Sequence, residues 1–232
     1  MKHLSSVLAL LALAAGVASA QVVPHRFAVV TRLGALTPER SASLETSGLI
    51  GLDAEYAINK FFGFGTTVDI TRGNSNRKDF VERLKFGNAA VAGGDTIRYQ
   101  LLGQPVNTIN VELLGTARIP GKRISPFLMA GVGSYTMLLD AQTNGSLKRI
   151  SGLSYSGGVG VNLAFGEKYG VQLDVRSVQF NNYKRAILDP SSNRLPNLWF
   201  PEEFGTPPPA RTTAMSTAFT FGFRYVPGGR GN

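Results

Sequence analysis

The sequence predicts an all-β fold: an eight-stranded antiparallel up-and-down transmembrane β-barrel that follows an N-terminal signal peptide. Three observations carry this expectation. Apolar and polar side chains alternate with period two over most of the chain, which is the signature of strands with two unlike faces. The connections between these runs are alternately short and long. Beyond the first 20 residues no apolar run reaches the ~18 residues of a spanning helix, so a helical membrane protein is excluded.

The first element is the leader. Lys2 and His3 form a short polar start, residues 4–15 are apolar apart from Ser5 and Ser6, and Ala18-Ser19-Ala20 supplies small residues for cleavage. The run is shorter than the ~20 residues of a membrane anchor and reads as a signal peptide. The organisation expected is a signal peptide at 1–20, a barrel domain at 21–226 and a short flexible tail at 227–232. There is no cysteine, so neither a disulfide nor a lipid anchor at the new N-terminus is available.

The strands follow in order. Residues 26–36 and 125–139 are strand-like but alternate less cleanly than the others. In 47–58, Ile50, Leu52, Ala54, Tyr56 and Ile58 oppose Asp53 and Glu55. In 61–72, Phe62, Phe64, Val68 and Ile70 oppose glycine, threonine and Asp69. In 106–119, Ile109, Val111 and Leu113 oppose Asn110, Glu112 and Arg118. In 153–165, Tyr155, Val159 and Val161 oppose Ser154, Ser156, Gly158 and Gly160. In 169–180, Val171, Leu173 and Val175 oppose Gln172, Asp174 and Arg176. The clearest run is 213–225, with Met215, Phe219, Phe221, Phe223 and Tyr225 against Ala218, Thr220, Gly222 and Arg224.

Short turns are expected at Asn59-Lys60, Pro120-Gly121-Lys122-Arg123 and Gly166-Glu167-Lys168. Long connections are expected over 37–46, 73–105, 140–150 and 181–211. A short helix fits within 78–86, and Pro207-Pro208-Pro209 should be extended. Strict short–long alternation is what a barrel with turns on one side of a membrane and loops on the other requires. Strands of ~12 residues tilted ~40° also rise far enough to cross.

Alternation alone leaves the direction of the apolar face open. Three features favour apolar outside. Charges sit in mid-strand on the polar face: Arg32, Asp53, Glu55, Asp69, Glu112, Arg118, Asp174, Arg176 and Arg224. Five acids and four bases nearly balance, as an interior polar network would need. Aromatics gather near the short turns at Tyr56, Phe62, Phe165, Tyr169 and Tyr225, in the manner of an interfacial girdle. Glycine and serine crowd the polar face and leave room for long charged chains.

The glycine-aromatic segments Pro126-Phe127-Leu128-Met129-Ala130-Gly131-Val132-Gly133-Ser134-Tyr135 and Tyr155-Ser156-Gly157-Gly158-Val159-Gly160-Val161 complete the picture. With this strand pattern, the chain resembles the small OmpA/OmpX-like outer-membrane β-barrels from about Val22 to Tyr225. The resemblance implies the outer membrane of a Gram-negative envelope and assembly by its insertion machinery. One departure concerns the aromatic end that this machinery reads: Phe221-Gly222-Phe223-Arg224-Tyr225 is followed here by residues 226–232.

Other functions find weaker footing. The net charge of +9 is scattered, without a basic block interleaved with aromatics, so no nucleic-acid partner is expected. Outer-membrane lipids suit it better. Lipopolysaccharide is the candidate partner for Arg72, Arg77, Lys78, Arg83, Lys85, Lys184, Arg185 and Arg194 in the long loops, although plain solvation accounts for them more simply. Gly131-Val132-Gly133 and Gly157-Gly158-Val159-Gly160 do not open helices and are no nucleotide loops. No metal or other cofactor is expected. His25 is the one histidine beyond the leader and precedes the first strand, far from any loop serine it could activate. The reading is a monomeric, non-enzymatic envelope protein acting through its long loops. A lipid-modifying enzyme and a soluble periplasmic barrel for a hydrophobic ligand stand as alternatives.

Overall fold

The computed structural model describes residues 25–76, 81–85, 97–101, 104–121, 123–139, 148–165, 168–188 and 212–227. The expected signal peptide, the triple proline and the tail beyond Pro227 lie outside these residues. Among the described residues ten strands are formed: β1 (Phe27–Pro38), β2 (Ser47–Ala57), β3 (Phe62–Asn74), β4 (Val81–Lys85), β5 (Ile97–Leu101), β6 (Pro105–Arg118), β7 (Ile124–Leu139), β8 (Lys148–Ala164), β9 (Tyr169–Asn181) and β10 (Thr213–Tyr225). Eight of them close into one antiparallel barrel in the order β1-β10-β9-β8-β7-β6-β3-β2. Among the described residues no helix is long and apolar enough to cross a membrane.

The hairpin β4–β5 is separate from the barrel and replaces the helix expected within 78–86. An isolated helix of that length is marginal in water, whereas pairing of Val81 with Leu101 and Lys85 with Ile97 satisfies the backbone directly.

The registers fix the shape. From Leu33 the ladder runs through Ile50, Ile70, Ile109 and Thr136 to Ser151. In the other direction it runs through Phe221 and Leu173 to Val161 on the same strand, ten residues away. This stagger in eight strands tilts them by roughly 40° to the axis.

The apolar face points outward. Leu113 is 68% and Phe221 54% exposed, whereas Arg32 is fully buried and Glu112 and Arg176 are 1% exposed. A soluble barrel around an apolar ligand has the opposite polarity. At the short-turn end the outer wall carries aromatic pairs, Phe27–Tyr56 with centroids 4.9 Å apart and Tyr169–Tyr225 5.5 Å apart. The Lys60 ammonium sits over the Phe61 ring at 5.0 Å.

The bore is filled in two different ways. Its short-turn half and middle hold charges. Its long-loop half is an apolar plug of Leu36, Leu49, Val106, Tyr135, Met137, Leu139, Ile150, Val178, Phe180, Ala214 and Ala218. Two loops fold inward to cap it. The 3-10 turn Arg40–Ala42 brings in Ala42, and the segment after β9 brings in Tyr183 and, from the 3-10 turn Arg185–Leu188, Leu188. The Tyr183 hydroxyl donates to the Ala42 carbonyl at 2.5 Å, and the Tyr183 amide donates to Thr212 O at 2.9 Å.

Burial holds the Tyr183 phenol above its ordinary value. A raised folded pKa means that the phenol's contribution is complete below the unfolded value of about 10 and is lost as pH rises above it. Tyr183→Phe is expected to cost about 1–2 kcal/mol at neutral pH, since it orphans a buried carbonyl. It should also flatten the loss of stability above pH ~10. Urea unfolding of the micelle-bound protein at several pH values measures both, and an unchanged alkaline limb in the variant would contradict the assignment.

Candidate functional site

The candidate site is the charged interior, which the strand pleat assembles by pointing alternate residues inward. Arg32 on β1 is its centre. Its Nη2 donates to Asp69 Oδ1 on β3 and to Thr67 Oγ1, each at 2.6 Å, and lies 2.8 Å from Asp53 Oδ1 on β2. Asp69 is two strands away. Between them the register places Gly51, opposite Arg32 on one side and Asp69 on the other. A Cβ at Gly51 would collide with the Asp69 carboxylate and stand 2.9 Å from Arg32 Nη2. Gly222 flanks Arg32 on its other side, where a Cβ would lie 3.0 Å from the Arg32 Cγ. Two glycines thus clear the path that one arginine needs to reach two aspartates.

The other mid-barrel charges surround this pair. Arg176 Nη1 lies 3.6 Å from Asp69 Oδ2, and its Nη2 lies 3.9 Å from Asp174 Oδ1. Asp174 accepts from Thr220 Oγ1 at 2.7 Å and from Gln172 Nε2 at 3.2 Å. Glu112 accepts from Ser156 Oγ at 2.5 Å and from Asn110 Nδ2 at 3.0 Å, and it makes no ion pair among the described residues. Its partners are therefore a hydroxyl and an amide. This layer holds Asp53, Asp69, Glu112 and Asp174 against Arg32 and Arg176, so anionic groups outnumber cationic ones.

A second layer lies toward the short turns, where the balance reverses. Arg118 Nη2 contacts Glu55 Oε1 and donates to Thr116 Oγ1 at 2.8 Å, while Thr116 donates to the same Glu55 oxygen at 2.6 Å. Arg224 Nη2 stands 3.7 Å from Glu55 Oε2. Two guanidiniums share one carboxylate here. Burying such groups is costly where they lack a partner, and the Nε of Arg224 and the Nε and Nη1 of Arg118 have no acceptor among the described residues.

All nine interior residues named from the sequence lie on the inner face, in two layers rather than one. The hydroxyl and amide groups that hydrogen-bond to several of them, Thr67, Asn110, Thr116, Ser156, Gln172 and Thr220, have the same strand parity and were open to the same reasoning. The apolar plug was missed. Val178 and Phe180 continue the parity of Asp174 and Arg176, but apolar residues replace polar ones. Among the described residues no cluster of His, Cys, Asp or Glu is arranged to hold a metal ion.

A family model described as the outer membrane protein beta-barrel domain matches residues 5–190. Neisserial surface protein A, a solved structure, is similar in fold, with 12% identity, 86% of this chain and 96% of that chain covered, and a TM-score of 0.53. The outer membrane protein OprG from Pseudomonas aeruginosa aligns at 13% identity over 90% of this chain and 99% of that chain, with a TM-score of 0.48. No curated protein matches the sequence significantly.

Arg32→Ala is expected to lower stability by about 3–5 kcal/mol, because it leaves Asp53 buried without its cation and Asp69 with only Arg176 at 3.6 Å. In a double-mutant cycle with Asp69→Ala the coupling should be about 2 kcal/mol, read from urea unfolding in lipid bilayers. Strict additivity would show that the contact contributes nothing.

Proposed function

We propose that this chain, which belongs to the outer-membrane β-barrel family, works without catalysis: it anchors in the outer membrane, stabilises the envelope and meets partners through its long loops. On this reading residues 1–20 are the export signal, 21–226 the barrel and 227–232 a short tail. Short turns face the periplasm in such barrels and long loops face outward, so the plugged end is extracellular. The observation that carries the reading is the filled bore. The apolar plug under the Tyr183–Ala42 cap and the ionic layers below it leave no wide path through eight strands. The surfaces left for work are the loops and the lipid-facing wall.

Catalysis has little to draw on. His25 lies at the periplasmic end with its Nδ1 3.4 Å from the Tyr56 hydroxyl, remote from the serines of the outer rim. Membrane-side partners have more support. Arg72, Asn107, Leu138 and Arg149 are register neighbours across β3, β6, β7 and β8, and Arg72 and Arg149 are exposed. Arginines at both ends of this outward row suit the phosphates of lipopolysaccharide. Insertion by the outer-membrane machinery as a monomer completes the proposal, with Phe221, Phe223 and Tyr225 as the outward aromatics of the last barrel strand.

Reconstituted in planar bilayers, the refolded protein should show no sustained conductance of porin size, and stable wide channels in most recordings would refute the filled-bore reading. The double variant Arg72→Glu/Arg149→Glu should fold at least ~3-fold more slowly into bilayers containing lipopolysaccharide and unchanged into phosphatidylcholine, as expected when charge-assisted contacts become repulsive.

A further inference from the structure

Four guanidiniums in the bore share one bonding state but not one neighbourhood. The Nε of Arg32, Arg118, Arg176 and Arg224 is in each case buried with no acceptor among the described residues. Donors in that state are costly and call for an acceptor. Three of the four line a small cavity. One cavity of about 20 Å³ is lined by Asp53, Thr116, Arg118, Asn162, Gln172 and Arg176 among others, so it touches both charge layers. A second, also of about 20 Å³, is lined by Arg123, Ser125, Asn162, Gly170 and Arg224 at the short-turn mouth. Asn162 belongs to both, and Arg32 to neither.

A cavity of this size holds one water, which needs at least two polar partners. The first cavity supplies them: Arg118 and Arg176 bring spare donors, and Asn162 Oδ1 is buried without a donor. In the second, Arg224 Nε is a spare donor and Asn162 Oδ1 the spare acceptor, while the Ser125 hydroxyl is already committed to Ile119 O at 2.9 Å. We infer that each cavity binds a single water, and that Asn162 joins the two into a file that enters at the short-turn mouth and ends at the anionic middle layer. Above that layer the apolar plug closes the bore. The small cavity at the loop end, lined by Leu36, Leu44, Glu45 and Met137 among others, shares no residue with either. The file joins two charge layers between which no ion pair runs among the described residues. It passes water and protons and is too narrow for a solute, so the middle layer exchanges with one side of the membrane only. The inference goes beyond the function proposed above and does not rest on it.

The test is proton exchange with water at the guanidinium Nε–H groups, read by NMR on the full protein refolded in phosphatidylcholine nanodiscs. Arg32 and Arg176 are the decisive pair, because both are buried to the same degree and both lack an Nε acceptor. Arg176 should exchange at least about tenfold faster than Arg32, since water reaches it without an opening of the wall. Arg118 and Arg224 should also exchange faster than Arg32. Asn162→Leu, which removes the shared acceptor and fills the junction, should slow Arg176 by about fivefold or more. Leu188→Ala, which loosens the loop-end cap, should leave Arg176 unchanged. The wild-type comparison needs no variant, so it stands even where Asn162→Leu does not fold. Equal rates at Arg32 and Arg176 in the wild type would overturn the inference. So would an unchanged Arg176 in folded Asn162→Leu, or a faster Arg176 in Leu188→Ala, which would put the entry at the loops.

Discussion

A guanidinium enclosed by a hydrogen-bonded cylinder has no water to return to, and the rest of this interior is arranged around the way Arg32 resolves that constraint. Its reach to Asp53 and Asp69 spans three strands, so it ties β1 to β3 across β2 without any backbone bond between them. The reach is open because Gly51 and Gly222 remove side-chain bulk on either side. Arg176 then contacts the far oxygen of Asp69, and Asp174 is held by Thr220 and Gln172. Opposite charges held this close offset part of the cost of burying each other, which matters in a fold of marginal stability.

Most of the barrel could be read from residue parity. The runs at 47–58, 61–72, 106–119, 169–180 and 213–225 match β2, β3, β6, β9 and β10 to within a residue or two. The reason is physical: lipid on one side and ions on the other impose opposite demands on successive side chains. Parity lost its force where both sides are apolar. The upper part of β7 points Tyr135, Met137 and Leu139 inward, so its alternation fades, and the apolar plug could not be told from the lipid face. The start of β8 was placed late, at 153, for a related reason: Lys148 and Arg149 look like loop, yet they pair with Leu139 and Leu138.

The cap was invisible for a different reason. The Tyr183–Ala42 contact joins two loops far apart in sequence, and neither loop has a periodicity to announce it. The same holds for charge layering. The nine interior residues nearly balance when counted together, but the fold sorts them into an anionic middle and a cationic short-turn end. Adjacent strands run in opposite directions and are staggered, so position along a strand alone does not give depth in the bore.

The seam between β1 and β10 has a kinetic consequence. Val29 meets Tyr225 there, so the first barrel strand waits for the last before its own ladder is complete. The other neighbouring pairs are close in the chain apart from β3–β6, which must first bridge the β4–β5 excursion, and β9–β10, which are joined by residues 182–212. Such remote pairing incurs loop-closure entropy before any contact repays it. Closure is therefore a late step that follows synthesis of the whole chain. Until then β1 and β10 present unsatisfied edges that are open to pairing with other chains.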